Sequence, residues 1–239
     1  MIINYAHRGA SGYCPENTMA SFQKAIELGC QGIETDVQIT SDGNLVLIHD
    51  EKVDRTTNSV GYVKDFTFEE LRKLDAGSWL DSTYSKEKIP SAEELILLAK
   101  EQNITINFEL KNGIIMYPDL EKKILELIYK YDMQQKVILS SFNHYSMHTC
   151  KEISKEIKTG LLYMEGLYEP QLYCKQVNAD AIHPNYNAIN KEIVKNCKAA
   201  GVLVNPFTVN DESVMKHLIA AGVDGIITNY PDKLKKLLV

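Results

Sequence analysis

The chain has 239 residues, 44% of them hydrophobic and 24% charged, with a net charge of −6. That length suits one barrel-sized domain with a sizeable core, and the acidic balance argues against a general nucleic-acid binder, which is usually basic. No apolar run is long enough to span a bilayer, the N-terminal MIINYAHRGA lacks the basic flank and apolar stretch of a signal peptide, and five scattered cysteines without a CxxC fit reduced thiols in a cytoplasm.

In chain order, the pattern predicts a first strand at Ile3–Ala6, then a helix over Thr18–Leu28 capped by Asn17 and stopped at Gly29. Ile33–Gln38 is the second strand. The Ser41-Asp42-Gly43-Asn44 turn then joins it to a hairpin strand, Leu45–Ile48. Residues 51–90 carry no clean strand–helix unit. They hold Arg55-Thr56-Thr57, a Gly61 turn, a short helix near Phe68–Leu74 and Trp79, and read as an insertion. A regular rhythm follows: helix Ser91–Lys100, strand Ile104–Leu110, helix Leu120–Tyr131 and strand Val137–Ser141. Strands Thr159–Tyr163 and Ala181–His183 come next, then helix Asn190–Ala199, strand Val202–Phe207, helix Asp211–Ala221 and strand Gly225–Thr228. Gly201 and Gly222 stand just past helix ends.

Such alternation implies parallel strands with crossover helices. Roughly eight units point to an α/β fold of the TIM (β/α)8 barrel type, one domain over 1–239 with 51–90 as a small insertion after the second barrel strand. A doubly wound open sheet is the rival, but neither a G-x-G-x-x-G after the first strand nor a P-loop is present.

Glu34 and Asp36 lie two apart on a strand and so share a face. Glu109 repeats the theme on another strand, two residues before Lys111. Buried acids need partners. Two readings stand: structural pairing with Arg8 or Lys111, or joint ligation of a cation. All-oxygen ligation favours Mg2+ or Ca2+ over Zn2+. His7 ends the first strand and His49 the hairpin strand, at the same end of the sheet as the acids, and imidazoles exchange protons near neutrality. Arg8 offers a fork of donors and Lys111 a point charge for an anion. Acids, imidazoles and cations together suit displacement at a phosphodiester.

Other candidates are weaker. His144 and His148 are i, i+4 on a helix, without the glutamate of HExxH. His183 beside Pro184 either lines the pocket or packs. Cys14 lacks a clear activating partner, and Ser140 and Ser141 lack a nucleophile elbow.

The segments His7-Arg8-Gly9, Pro15-Glu16-Asn17-Thr18, Glu34-Thr35-Asp36-Val37, Asp42-Gly43, His49-Asp50 and Arg55-Thr56-Thr57 occur in that order. They continue with Leu74-Asp75-Ala76-Gly77, Glu109-Leu110-Lys111, Thr208-Val209-Asn210 and Thr228-Asn229. Together they resemble the glycerophosphodiester phosphodiesterase family over nearly the whole chain. The resemblance implies a TIM barrel that hydrolyses small-molecule glycerophosphodiesters to glycerol 3-phosphate and an alcohol. It implies Glu34, Asp36 and Glu109 as ligands of one divalent cation, Mg2+ or Ca2+, and His7 and His49 as the acid/base pair. It also implies Arg8 and Lys111 as phosphate contacts. Phe207 stands where the family often has tryptophan before Thr-Val-Asn, and offers an apolar face for the glycerol carbons. Rival readings are a phospholipase-D-like activity on lysophospholipids or sphingolipids, disfavoured by the lack of an evident apolar insertion, a Schiff-base barrel using Lys111, and a barrel that binds without turnover.

Overall fold

In the computed structural model, which describes residues 2–238, eight parallel strands run in the order β8-β7-β6-β5-β4-β2-β1-β9. They are β1 (Ile3–His7), β2 (Gly32–Ile39), β4 (Thr105–Leu110), β5 (Val137–Ser141), β6 (Lys158–Tyr163), β7 (Ala181–Pro184), β8 (Leu203–Val204) and β9 (Gly225–Thr228). Backbone hydrogen bonds link the two ends of this order. Asp224 N donates to Val204 O at 2.9 Å, Ile227 N to Pro206 O at 3.0 Å, and Val209 N to Ile227 O at 2.8 Å. The result is the (β/α)8 barrel expected from the alternation.

The helices are α1 (Met19–Glu27), α2 (Phe68–Lys73), α3 (Ala92–Gln102), α4 (Leu120–Lys130), α5 (His144–Ile153), α6 (Pro170–Val177), α7 (Lys191–Ala199), α8 (Glu212–Ala221) and α9 (Pro231–Leu237). All but α2, which lies in the insertion, jacket the strands. Ile33, Val37, Phe108 and Leu110 join Phe22, Leu95, Ile96 and Ile124 in one buried core. Alternation within a strand thus sends aliphatic residues outward to the helices and leaves Glu34, Asp36, Asn107 and Glu109 for the lumen. No helix among the described residues is long and apolar enough to cross a membrane. The five cysteines are buried and free.

β3 (Leu45–Leu47) pairs antiparallel with β2, with Ile39 opposite Leu45, as the turn signal predicts. The chain from β3 to α3 then packs on a small core of its own: Val46, Ile48, Val53, Val63, Leu71, Ala76 and Ile89. It returns to cover β3, because Leu47 N donates to Pro90 O at 2.9 Å and Val46 bridges Ser91. An otherwise open edge is thereby closed.

Two expectations are corrected, and two helices lie outside the sequence reading. The seventh barrel strand, β8, is Leu203–Val204, not Val202–Phe207, because Pro206 has no N–H for the ladder; Phe207 meets the sheet only through a bridge to Asn185. Helices α6 and α9 escape a pattern reading because each opens on a proline, a residue that breaks helices elsewhere but suits their first turn. The cap of α1 is Thr18 and not Asn17. Thr18 accepts from Ser21 N and forms a capping box, while Asn17 sits at φ 54° with its side chain turned to the barrel mouth. Gly29, Gly201 and Gly222 do take positive φ as expected, at 83°, 73° and 84°.

Thr18→Ala is therefore expected to lower the unfolding free energy by about 1–2 kcal/mol in urea denaturation. A loss near zero would mean that the α1 cap does not depend on this hydroxyl.

Candidate active site

Strand register assembles the site. β1 and β2 align His7 with Glu34, and β2 and β4 align Glu34 with Asn107 and Asp36 with Glu109. Neighbouring strands are about 4.8 Å apart, so residues in register on the lumen face meet side by side. Glu34, Asp36 and Glu109 each bring a carboxylate oxygen within 4.8 Å of the others. All three are at most 9% exposed. At that spacing each ionised pair repels by about 3 kcal/mol at an effective dielectric near 20.

The titration behaviour follows from this crowding. Burial, then the charges of Asp36 and Glu109, push Glu34 well above the ordinary carboxylate range. Burial and Asp36 raise Glu109 as well. Burial also works against ionised Asp36, but Arg8 and Lys111 outweigh it and hold this carboxyl near 2. Lys111 Nζ lies 2.9 Å from Glu109 Oε1 and 3.8 Å from Asp36 Oδ1. Arg8 Nε lies 3.4 Å from Asp36 Oδ2, too misaligned for a hydrogen bond. Asn17 Nδ2 donates to that same oxygen at 2.9 Å, and Thr35 Oγ1 donates to Asn17 Oδ1 at 2.7 Å.

The cation reading and the ion-pair reading are therefore not exclusive, since Arg8 and Lys111 flank the acids without satisfying them. Asp36 Oδ1 is buried with no hydrogen-bond partner, a state that costs about 1–3 kcal/mol or more when charged. Around the pocket five carboxylates (Glu16, Glu34, Asp36, Asp50, Glu109) share three cations (Arg8, Arg55, Lys111). A divalent cation would balance that deficit. The donors are all hard oxygens, so the residues fit an ion of the Mg2+ or Ca2+ type.

The two histidines are fixed in different ways. His7 Nδ1 is 2.6 Å from Asn229 Oδ1, and its Nε2 is 3.9 Å from Glu34 Oε2. With Asn229 as acceptor, Nδ1 carries the proton and Nε2 keeps its lone pair towards the acids. Burial, with Arg8 next, lowers the His7 pKa to about 4 and keeps the ring neutral at pH 7. His49 Nδ1 is 2.6 Å from Asp50 Oδ1. Arg55 clamps Asp50 through Nε at 2.7 Å and Nη2 at 3.1 Å. The same guanidinium holds Glu16 at 2.8 and 2.7 Å, and Glu16 accepts from Arg8 Nη1 at 2.8 Å. An alternating chain of charges thus runs from Arg8 through Glu16, Arg55 and Asp50 to His49. Beneath it, Gln38 Nε2 donates to the carbonyls of Ile48, His49 and Asp50, and Tyr117 OH fixes Gln38 Oε1 at 2.8 Å.

Arg8 adopts φ 56°, a left-handed conformation that costs a non-glycine residue about 1–3 kcal/mol. Its own N–H, pointed at Glu34 O (2.8 Å) and Oε2 (3.2 Å), is what that turn achieves. Gly9 follows at φ 80°, and a Cβ there would meet the Ser21 backbone at 2.6 Å.

Lower-ranked candidates fall to structural roles. His144 lies 2.9 Å from Tyr173 OH and 2.8 Å from Leu162 O, and His148 is 3.0 Å from Val177 O. His183 is wholly buried in the lumen between the amides of Asn107 and Asn205, and burial lowers its pKa to about 3. Ser140 donates to Asn107 and Ser141 to Leu110 O. Cys14 Sγ is 3.4 Å from Tyr84 OH. Phe207, on the β8 side, meets Phe142 edge to face at 5.9 Å. Phe142 in turn lines a cavity of about 610 Å³ whose wall includes Glu109 and Lys111.

The model of the glycerophosphoryl diester phosphodiesterase family matches residues 7–233. The chain belongs to that family. A glycerophosphodiester phosphodiesterase of Caldanaerobacter subterraneus subsp. tengcongensis is 48% identical over 233 residues, covering 98% of this chain and 96% of its own. One of Bacillus subtilis is 36% identical, over 99% and 86% of the two chains. Among solved structures, a phosphodiesterase of Oleispira antarctica in complex with the product sn-glycerol-3-phosphate superposes with a TM-score of 0.87 at 31% identity, over 98% of this chain and 95% of that one.

Asn229, Asp50, Arg55 and Glu16 were visible only as members of family-like segments, and Asn17 only as one of these and as a helix cap. Their part in orienting His7, His49, Arg8 and Asp36 required coordinates, because every one of them except Asp50 acts on a residue distant in sequence.

The electrostatics give a signed test. A carboxyl raised in the folded state contributes stability that is fully present below its unfolded pKa and lost as pH rises through the folded value. In chelator, this Glu34 component should therefore decline as pH climbs above the ordinary 4.5. Saturating Mg2+ or Ca2+ should restore stability, by about 2.7 kcal/mol at a hundredfold excess over Kd. Glu34→Gln should remove the Glu34 share of the pH-linked loss, leaving that of Glu109, together with most of the cation gain in thermal melts. Wild-type melting that ignores both cations would rule out the ligand assignment.

Proposed function

We propose that this chain hydrolyses glycerophosphodiesters to glycerol 3-phosphate and an alcohol by metal-dependent in-line displacement, with His7 and His49 as general acid and base. Family membership makes the chain an enzyme of the phosphoric diester hydrolase class. The observation that carries the finer reading is the meeting of three buried carboxylates, two cations and two oriented imidazoles at the C-terminal mouth of one barrel. The relative from Oleispira antarctica, bound to sn-glycerol-3-phosphate, supports the substrate class.

In this reading Glu34, Asp36 and Glu109 hold one divalent cation, Mg2+ or Ca2+. When bound, it supplies positive charge against the phosphoryl oxygens and their developing negative charge. Arg8 aims its fork at a non-bridging oxygen, and Lys111 adds a point charge on the β4 side. Both are already desolvated and held by carboxylates, so little reorganisation accompanies the build-up of charge. Each histidine has its Nδ1 committed, His7 to an amide and His49 to a carboxylate, which leaves Nε2 free for proton transfer. One imidazole takes the proton of the attacking hydroxyl, from water or from the neighbouring glycerol hydroxyl, and the other protonates the departing alkoxide. Phe207 offers its ring to the glycerol carbons. The whole chain 1–239 acts as one barrel domain, and its 51–90 insertion contributes Arg55. The free thiols fit action in the cytoplasm.

His7→Ala and His49→Ala should each lower kcat on glycerophosphocholine by roughly 10²–10⁴, with KM much less affected. Single-variant turnover near wild type for both would reject the acid/base pair. Hydrolysis in ¹⁸O-water, with product analysis for a cyclic phosphate, separates the two nucleophiles. Activity that survives chelation would reject the metal requirement.

A further inference from the structure

The insertion is tied to the barrel at several points remote from the reaction centre. Ser41 N donates to Phe66 O at 2.8 Å, Leu47 N to Pro90 O at 2.9 Å, and Ala20 N to Glu87 Oε2 at 3.1 Å. Its small core closes without the Arg55 side chain. An ion pair at a half-exposed arginine ordinarily adds little to such attachments. Arg55 nevertheless commits four hydrogen bonds, from all three of its nitrogens, to two carboxylates at the pocket rim. Asp50 and Glu16 are each gripped at both oxygens, so the plane of each carboxylate is fixed as well as its position.

The two grips have different consequences. Asp50 Oδ1 stands 2.6 Å from His49 Nδ1. Released from Arg55, the half-exposed Asp50 can turn to water, and the imidazole then loses the partner that sets its ring. At Glu16 the consequence is one of charge. Glu16 Oε1 is shared between Arg55 Nη2 at 2.7 Å and Arg8 Nη1 at 2.8 Å. While Arg55 neutralises Glu16, Arg8 keeps its attraction for a phosphoryl oxygen. Without Arg55 the whole negative charge of Glu16 falls on Arg8 and competes with the substrate for the same guanidinium.

We propose that Arg55 is a positioning residue serving both arms of the reaction, holding His49 in register through Asp50 and freeing Arg8 for phosphate through Glu16. The inference rests on the hydrolase reading above. It assigns the insertion a part in turnover, beyond covering the edge of β3. Lysine cannot replace this arginine, because a point charge on a flexible stem neutralises a carboxylate but cannot grip two of them by both oxygens.

The test measures kcat and KM for glycerophosphocholine, with divalent cation present, in wild type and three variants. Arg55→Ala should lower kcat at least about tenfold through the loosened imidazole. It should also raise KM about fivefold, the size of one half-exposed ion pair shifted onto Arg8. Adding Glu16→Gln to Arg55→Ala removes the competing charge, so KM should return to within about twofold of wild type while kcat stays low. A general loss of structure cannot produce that split. Arg55→Lys should keep KM near wild type and leave kcat at least about fivefold down. Because the Arg55 side chain is 43% exposed, its removal opens a space that water fills, and circular dichroism checks that each variant folds. If the alanine variant does not fold, the lysine variant decides alone.

Arg55→Ala with kcat and KM both within about twofold of wild type, whatever its melting temperature, overturns the inference and leaves Arg55 a staple. Full recovery of kcat in Arg55→Lys overturns it as well, since charge alone would then suffice. So does a KM in the double variant that stays as high as in Arg55→Ala. No hydrolysis by wild type removes the hydrolase reading and this inference with it.

Discussion

Mutual repulsion among Glu34, Asp36 and Glu109 is the constraint to which the surrounding structure responds. Strand register brings the three together in a space where water cannot screen them, and the helices packed behind β2 and β4 prevent them from moving apart. Arg8 is drawn into a left-handed backbone to face them, Lys111 folds back over Glu109, and Asn17 gives up capping α1 to hold Asp36. The remaining orphan, Asp36 Oδ1, marks what these cations leave undone. A pocket arranged in this way has charge stabilisation built in, which is what a dianionic transition state at phosphorus requires.

Orientation of the imidazoles is a second layer, paid out over a long reach of chain. His7 depends on Asn229 at the end of β9, so closure of the barrel sets one proton carrier. His49 depends on Asp50, Arg55 and Glu16, so the insertion and the loop before α1 set the other. The small core under the insertion, with Val53 and Val63 wholly buried, keeps Arg55 within reach of Glu16. Packing energy far from the reaction centre is thereby converted into the position of a ring nitrogen.

Much of the fold was readable because its signals are local. Strand–helix alternation, glycines past helix ends and the Asp42-Gly43 turn all report on a few neighbouring residues, and the structure reproduces them. Boundaries slipped where a local rule has two outcomes. Pro206 ends a strand early, Pro170 and Pro231 begin helices rather than forbid them, and of two adjacent cap-forming residues Thr18 took the role given to Asn17.

For the site, sequence alone determined which groups exist and which face of its strand each occupies, because a period of two puts Glu34 and Asp36 on one side whatever surrounds them. Ordered segments from His7 to Asn229 were enough to name the family. Only the tertiary structure decided that Asp36 stands beside Glu109, that Arg55 bridges Glu16 and Asp50, and that Ile114 and Met116 share a cavity with Lys111. Register between strands and the return of a loop are set by packing across the whole barrel. No window of neighbouring residues contains that information.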